Sequence, residues 1–306
     1  MIPNRDKGRT EKRTPHHHFL LKDTEVIEEH TIGEFTLITL LDGIFLCGTD
    51  MIPAAASKEG EELFKSAGLP ASGPSPEPIN AFALKKNDEL WLIDAGCGRE
   101  LGPRFGKAPD ALRSAGYSLD QVQGVILSHL HEDHIGGLIK EDGSILYPNA
   151  TLFLSEEELA FWTDLTSLAK YPRMAEAGLF GLATSVLRAY EGSVKPVPAN
   201  GQVLAGVRLV PLHGHTPGHS GIQIQDGDQQ VLIWGDVIHS TLLQLRYPHW
   251  SIGFDVDPAQ AVQTREELLA RLATENTLVA GPHVTGIGKI RSCCHGGYKL
   301  DLTRYL

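Results

Sequence analysis

Four apolar runs in this chain each end on residues that bind metal ions, and that repetition constrains the fold more than any other feature. Val125-Ile126-Leu127 leads into Ser128-His129-Leu130-His131-Glu132-Asp133-His134-Ile135-Gly136-Gly137. Val207-Arg208-Leu209-Val210-Pro211-Leu212 leads into His213-Gly214-His215-Thr216-Pro217-Gly218-His219-Ser220, Val231-Leu232-Ile233-Trp234 into Gly235-Asp236, and Thr277-Leu278-Val279-Ala280 into Gly281-Pro282-His283. Short apolar runs stopped by glycine, proline or aspartate read as buried strands. Strands that all carry ligands at their ends require those ends to share one edge, so the pattern predicts a two-sheet sandwich with its site along that edge.

The first cluster carries the chemistry. In extended backbone residues i and i+2 point the same way, so His129 and His131 can chelate one ion while Asp133 and His134 are turned toward a second. Gly136 and Gly137 let the chain turn tightly beneath the ions and enter a helix. The later motifs complete two sets: His129, His131 and His219 for the first ion, Asp133, His134 and His283 for the second. Asp236 bridges, since a carboxylate has two oxygens. Spacing alone also admits His215 in place of His219. Asp94, closing the strand Leu90-Trp91-Leu92-Ile93-Asp94, reads either as a group that orients a ligand histidine or as a turn cap.

At 306 residues and 42% apolar composition the chain supports a well-buried core, and a formal charge of −11 argues against a protein whose main task is to hold nucleic acid. Cys47, Cys97, Cys293 and Cys294 lack C-x-x-C spacing and read as free thiols. No apolar run approaches the ~20 residues of a membrane span, and no signal-peptide core is present. A cytoplasmic location is expected.

Residues 1–30 read as a mobile basic arm, with His16-His17-His18 in a solvated tail, ahead of one domain over 31–306. Phe35 to Leu41 reads as a strand stopped by the turn signal Asp42-Gly43, and Ile79–Leu84 with Leu90–Asp94 as a hairpin. Helices are expected near Glu61–Leu69, across Ala108–Gly116, after Ser155, and after the cap Asp257-Pro258. Ser155 with Glu158 three residues on has the form of a capping box. Trp162 lies in the insertion between ligand groups, where a pocket wall would be built. His239, Arg246, Tyr247 and Trp250 are further candidates to line the pocket.

These motifs resemble the metallo-β-lactamase superfamily from about Phe35 onward: H-x-H-x-D-H at His129 to His134, T-P-G-H-S at Thr216 to Ser220, Gly235-Asp236, and Gly281-Pro282-His283. The resemblance implies an αβ/βα four-layer sandwich with two mixed β-sheets flanked by helices. It selects His219 as ligand and supports Asp94 as the residue behind one. Zinc β-lactamases as a family lack the bridging aspartate, so Asp236 makes the chain look like the dinuclear hydrolases. Trp234-Gly235-Asp236-Val237-Ile238, Leu245-Arg246-Tyr247-Pro248, Phe254-Asp255-Val256-Asp257 and Gly286-Ile287-Gly288-Lys289-Ile290-Arg291 are similar to the methyl parathion hydrolase and lactonase branch. Glu158-Leu159-Ala160-Phe161-Trp162 shares that likeness and makes Trp162 a substrate contact.

That branch implies hydrolysis of lactones, aryl esters or organophosphate triesters, including quorum quenching by lactone hydrolysis, often by a homodimer acting on small molecules without nucleic acid or membrane. The expected cofactor is two divalent metal ions, zinc first, with manganese, cobalt or iron also suited to these ligands. Two ions bring about +4, and Asp133, Asp236 and a metal-bridging hydroxide return about −3, leaving an electrophilic site. Asp133 is then both ligand and proton carrier to the leaving group. A glyoxalase II-like thioester hydrolase and, from a different class, a di-iron redox protein share the same ligand pattern.

Overall fold

The computed structural model describes residues 28–98, 102–171, 174, 178–294 and 296–303. Most of the expected basic arm, with His16–His18, lies outside them, but residues 28–30 belong to the first strand. Fourteen strands among the described residues form two mixed seven-stranded sheets. The first takes β1 (Glu28–Ile32), β2 (Phe35–Cys47), β3 (Ser75–Lys86), β4 (Glu89–Ile93), β5 (Val122–Ile126), β6 (Thr151–Ser155) and β7 (Val194–Val197) in sequence order. The second runs in order from β8 (Gln202–Leu204) through β9 (Val207–Pro211), β10 (Ser220–Asp226), β11 (Gln229–Ile233), β12 (Leu278–Ala280) and β13 (Gly288–Ser292) to β14 (Tyr298–Leu302).

The central strands read as continuous apolar runs because both of their faces are buried. Alternation divides each run between two layers. Ile93, Ile126, Ile233 and Ala280 point between the sheets, where they meet Leu37, Phe82, Leu209 and Ile222. Their neighbours Leu92 and Val125 point outward under α2 (Ala108–Ser114), α4 (Glu156–Thr163) and α6 (Leu179–Ala189), through Leu112, Phe161 and Val186. Leu232 and Val279 face α8 (Pro258–Leu272) through Leu268, Leu269 and Leu272. The expected four-layer sandwich is therefore present. Asp257 caps α8, its carboxylate accepting from the Gln260 N–H.

Asp42-Gly43 does not stop β2. The strand continues to Cys47, with Asp42 as the extra residue of a bulge against β3. The bulge turns its fully buried carboxylate inward, where it accepts from the backbone N–H groups of Cys97, Gly106 and Ala108 at 2.9, 3.0 and 2.9 Å. Two of those amides lie at the start of α2, whose own preceding residue, Lys107, offers no side-chain cap. A β-carbon on Gly96 would lie 2.4 Å from the Asp42 carboxyl carbon, which explains a glycine there. A further apolar cluster joins α1 (Lys58–Ser66) to α7 (Thr241–Gln244) through Phe64, Leu243, Trp250 and Ile252. Among the described residues no helix is long and apolar enough to cross a membrane.

Candidate metal centre

Each sheet contains a parallel pair whose carboxyl ends lie side by side: β4 with β5, in register at Ile93 and Ile126, and β11 with β12, in register at Ile233 and Ala280. The residues just past these four ends are Asp94, the 128–134 cluster, Asp236 and His283. The sheets are tied at this edge by the Ser220 N–H donating to the Ser128 carbonyl at 3.0 Å. A short helix, α3 (Glu132–Ile135), turns the chain after His131. Gly136 and Gly137 follow it in a 3-10 turn, and β-carbons there would lie 2.0 Å from the Cys97 and Ala95 carbonyl oxygens. Close approach of the 95–98 loop, more than turning freedom, demands these glycines.

Seven side chains converge in two groups that share one member. His129, His131, His215 and Asp236 place donor atoms within 4.8 Å of one another, as do Asp133, His134, His283 and Asp236. In the first group His131 Nδ1 lies 3.0 Å from His129 Nε2 and 2.8 Å from His215 Nε2. The outer nitrogens are engaged elsewhere: His129 Nδ1 with the Ser128 hydroxyl at 3.0 Å and His215 Nδ1 with Asp255 at 2.9 Å. Those contacts turn Nε2 of both rings inward, so that three ring nitrogens face one another. A cation among the three satisfies all of them at once.

In the second group His134 Nε2, His283 Nε2 and Asp236 Oδ1 are buried without a hydrogen-bond partner. Such orphaned polar atoms are costly unless an ion meets them. Asp236 Oδ1 lies 3.1 and 3.3 Å from those two nitrogens, while its Oδ2 lies 3.2 Å from His215 Nε2 and 3.6 Å from His129 Nε2. One oxygen therefore faces each group. Asp133 Oδ2 stands 3.5 Å from His134 Nε2 and 3.3 Å from His283 Nε2. The donor set fits two divalent cations of the kind that imidazole and carboxylate bind.

Burial opposes charge throughout the cluster, and at five of its groups the facing rings and carboxylates outweigh it. Asp133 and Asp236 are held well below the usual carboxylate range by His134, with His283 adding to the effect. Against burial, Asp236 and its neighbouring carboxylates raise His134 well above the imidazole range, His283 to about 10 and His215 to about 9. His129 and His131 go the other way, pushed well down by burial and by adjacent rings.

Behind the donors stands a second set of groups that fix the ring orientations. Asp94 accepts from the Ser128 N–H and hydroxyl at 2.8 Å each and from His134 Nδ1 at 2.8 Å, so it orients His134 directly and His129 through Ser128. The Pro78 carbonyl receives His283 Nδ1 at 3.0 Å. Asp255, behind His215, lies 3.7 Å from the fully buried Arg265, which also donates to the Val237, Pro248 and Trp250 carbonyls. Spacing carried no signal for Asp255 or Arg265, because each is remote in sequence from what it supports.

Two expectations are corrected. The structure does not bring His219 into the first group and puts His215 there instead. Both ring nitrogens of His219 are spent on backbone: Nδ1 donates to the Leu212 carbonyl at 2.7 Å and Nε2 accepts the Asp236 N–H at 2.8 Å. Trp162, expected to contact substrate, is 3% exposed, donates its indole N–H to Glu158 at 2.6 Å, and meets the site only through its edge contact with the His131 ring. His239, named in the sequence only as a candidate pocket residue, has Nε2 3.1 Å from Asp236 Oδ2 and its ring stacked on His283.

Strand-end histidines and aspartates clustered at one edge of a four-layer sandwich define the class, and the comparisons with known proteins agree. The sequence profile of the metallo-beta-lactamase superfamily matches residues 74–283, and the chain belongs to that superfamily. A probable metallo-hydrolase of Mycobacterium tuberculosis is 29% identical over 188 residues, 52% of this chain and 56% of that protein. The chain thus spans about half the length of such curated relatives. The N-acyl homoserine lactonase AiiB of Agrobacterium fabrum is 32% identical over 77 residues, 19% of this chain and 28% of its own. Among solved structures, the hydrolase AbOPH of the beta lactamase superfamily superposes with a TM-score of 0.85 at 28% identity, covering 93% of this chain and 100% of that one. AidC, a dizinc quorum-quenching lactonase, shares the fold with a TM-score of 0.83 at 24% identity, covering 92% and 98%.

Proposed function

We propose that this protein is a metal-dependent hydrolase that opens lactones or cleaves aryl esters or organophosphate triesters. In this reading His129, His131, His215 and Asp236 hold one divalent cation, zinc first, and Asp133, His134, His283 and Asp236 hold the other. The observation that carries it is the division of Asp236, one oxygen toward each group. Two such cations supply Lewis acidity and a water acidic enough to attack at neutral pH.

The chain's own residues supply the rest. Asp94, Ser128 and Asp255 hold the rings in the tautomers that turn lone pairs inward. Asp133 is the most open donor, its side chain 21% exposed where the others are nearly closed to solvent. That opening would let the Asp133 carboxylate take up the proton that the attacking water loses and pass it to a leaving oxygen on the substrate side. A lactone alkoxide is a poor leaving group and needs the proton, whereas an activated aryloxide scarcely does.

Turnover of acyl-homoserine lactones, aromatic lactones, aryl esters and phosphotriesters by metal-quantified protein tests the assignment. No turnover on any of them with two metals bound overturns it, and activity on S-lactoylglutathione alone points to thioester hydrolysis. At matched metal content Asp133→Asn is expected to lower lactone turnover by roughly a hundredfold or more and aryl ester turnover much less. Equal losses on both remove the proton-transfer role.

A further inference from the structure

We infer that Glu158 is a positioning residue that sets the gap between the 128–134 loop and the 213–219 turn, and so builds the first of the two cation sites. The inference rests on the metal reading proposed above. In sequence, Ser155 and Glu158 have the form of a reciprocal helix cap. Only half of that cap forms: the Ser155 hydroxyl accepts the Glu158 N–H at 3.0 Å, while the Glu158 side chain turns away from the helix start.

The Glu158 carboxylate is fully buried and accepts from three segments. Oε1 takes the backbone N–H of Leu130 at 2.9 Å, between His129 and His131, and the indole N–H of Trp162 at 2.6 Å, whose ring edge supports His131. Oε2 takes the Thr216 hydroxyl at 2.5 Å, next to His215. The start of α4 grips the same turn a second time. Ser155 donates to the Gly218 carbonyl at 2.7 Å, and a β-carbon on Gly218 would lie 2.0 Å from the Glu158 backbone nitrogen.

All three histidines of the first group are thus held relative to one another through one side chain. The 128–134 loop comes from the first sheet and the 213–219 turn from the second, and two carboxylate oxygens about 2 Å apart set their separation. His134 and His283 are held by other groups, their outer nitrogens resting on the Asp94 carboxylate and the Pro78 carbonyl. Loss of Glu158 therefore acts on one cation site more than on the other.

Zinc titration of the stripped full-length protein, by competition with a chromophoric chelator, tests this, with circular dichroism to verify folding. Wild type is expected to bind two zinc ions. Glu158→Ala is expected to weaken one of them by roughly 10–100-fold, the range for loss of an outer-shell partner, and leave the other near its original strength. Glu158→Gln is expected to restore both, because its amide oxygen still accepts from Leu130 and Trp162 and the Thr216 hydroxyl rotates to accept from the amide nitrogen. A folded Glu158→Ala protein that binds both ions as wild type does overturns the inference. So does a Glu158→Gln protein as weak as the alanine variant, since charge and not placement would then be responsible. If the alanine variant does not fold, Thr216→Val keeps the Leu130 and Trp162 contacts and is expected to weaken the same site by a smaller factor; unchanged binding overturns the inference. Wild type that binds fewer than two ions overturns the metal reading itself, a failure separable from the others.

Discussion

At the scale of single residues, the two histidines of the His215-Thr216-Pro217-Gly218-His219 turn have the same chemistry and opposite fates. His219 ties Leu212 to the amide of Asp236, so it places the shared carboxylate from behind. His215 meets that carboxylate from the front. Replacing His215 with alanine is expected to lower bound zinc from two toward one, with a loss larger than the roughly 10–100-fold typical of an outer-shell partner. His219→Ala leaves the buried Leu212 carbonyl and Asp236 N–H without partners, so it is expected to cost roughly 2–5 kcal/mol of stability, read by denaturant unfolding. Loss of a zinc ion in His219→Ala without loss of stability would reverse the two roles.

Glu77 is a second residue-scale case. It lies on β3 beside the Ser75 hydroxyl, which donates to it at 2.8 Å, and burial raises its carboxyl from 4.5 to about 7 against the opposing influence of Ser240, Ser75 and His283. An acid with a raised folded pKa binds more protons folded than unfolded between those values. Its stabilising contribution is present below about 4.5 and lost as pH rises through about 7, a span on the order of 3 kcal/mol. Glu77→Gln is expected to flatten that part of the stability profile and to be the more stable protein near pH 8. Parallel profiles for the two proteins would show that Glu77 ionises normally.

Among the elements, the β2 bulge matters beyond its own strand. Asp42 collects three backbone amides, two of them at the start of α2, and so joins an outer helix to the loop that packs under Gly136 and Gly137. Asp42→Ala orphans all three and is expected to cost about 3–5 kcal/mol. Asp42→Asn keeps one acceptor oxygen and is expected to cost less. Thermal unfolding of both distinguishes them, and equal small losses would mean that water replaces the carboxylate. The Asp42-Gly43 pair reads locally as a stop because most such pairs are turns. Only pairing with the long β3 carries the strand past it.

The whole molecule concentrates buried imidazoles and carboxylates at one edge, where two pairs of parallel strands end together. Ligands that bind only the folded state add stability by mass action, about 4 kcal/mol per site at a thousandfold excess over Kd, and the proposed cations are such ligands. Stripping the protein with a chelator is expected to lower Tm by roughly 10 °C and added zinc to restore it. A Tm indifferent to both would mean that hydrogen bonds alone satisfy the cluster.

The chemistry of the site was legible in sequence because its donors are local: His129 to His134 lie within six residues, and each later donor directly follows an apolar run. The sandwich was legible for the same reason, since strands buried on both faces must be continuously apolar. Which histidine of the 213–219 turn faces the cluster was not, because one turn offers three imidazoles and the choice depends on what the opposite sheet presents. Asp255, Arg265, Asp42 and the diverted Glu158 were hidden likewise. Each acts on a segment distant in sequence, and Glu158 joins two segments that meet only when the sheets stack. Residue type and spacing determine what a strand end can bind, while the packing of one sheet on the other decides which side chains arrive there and which are left to hold them.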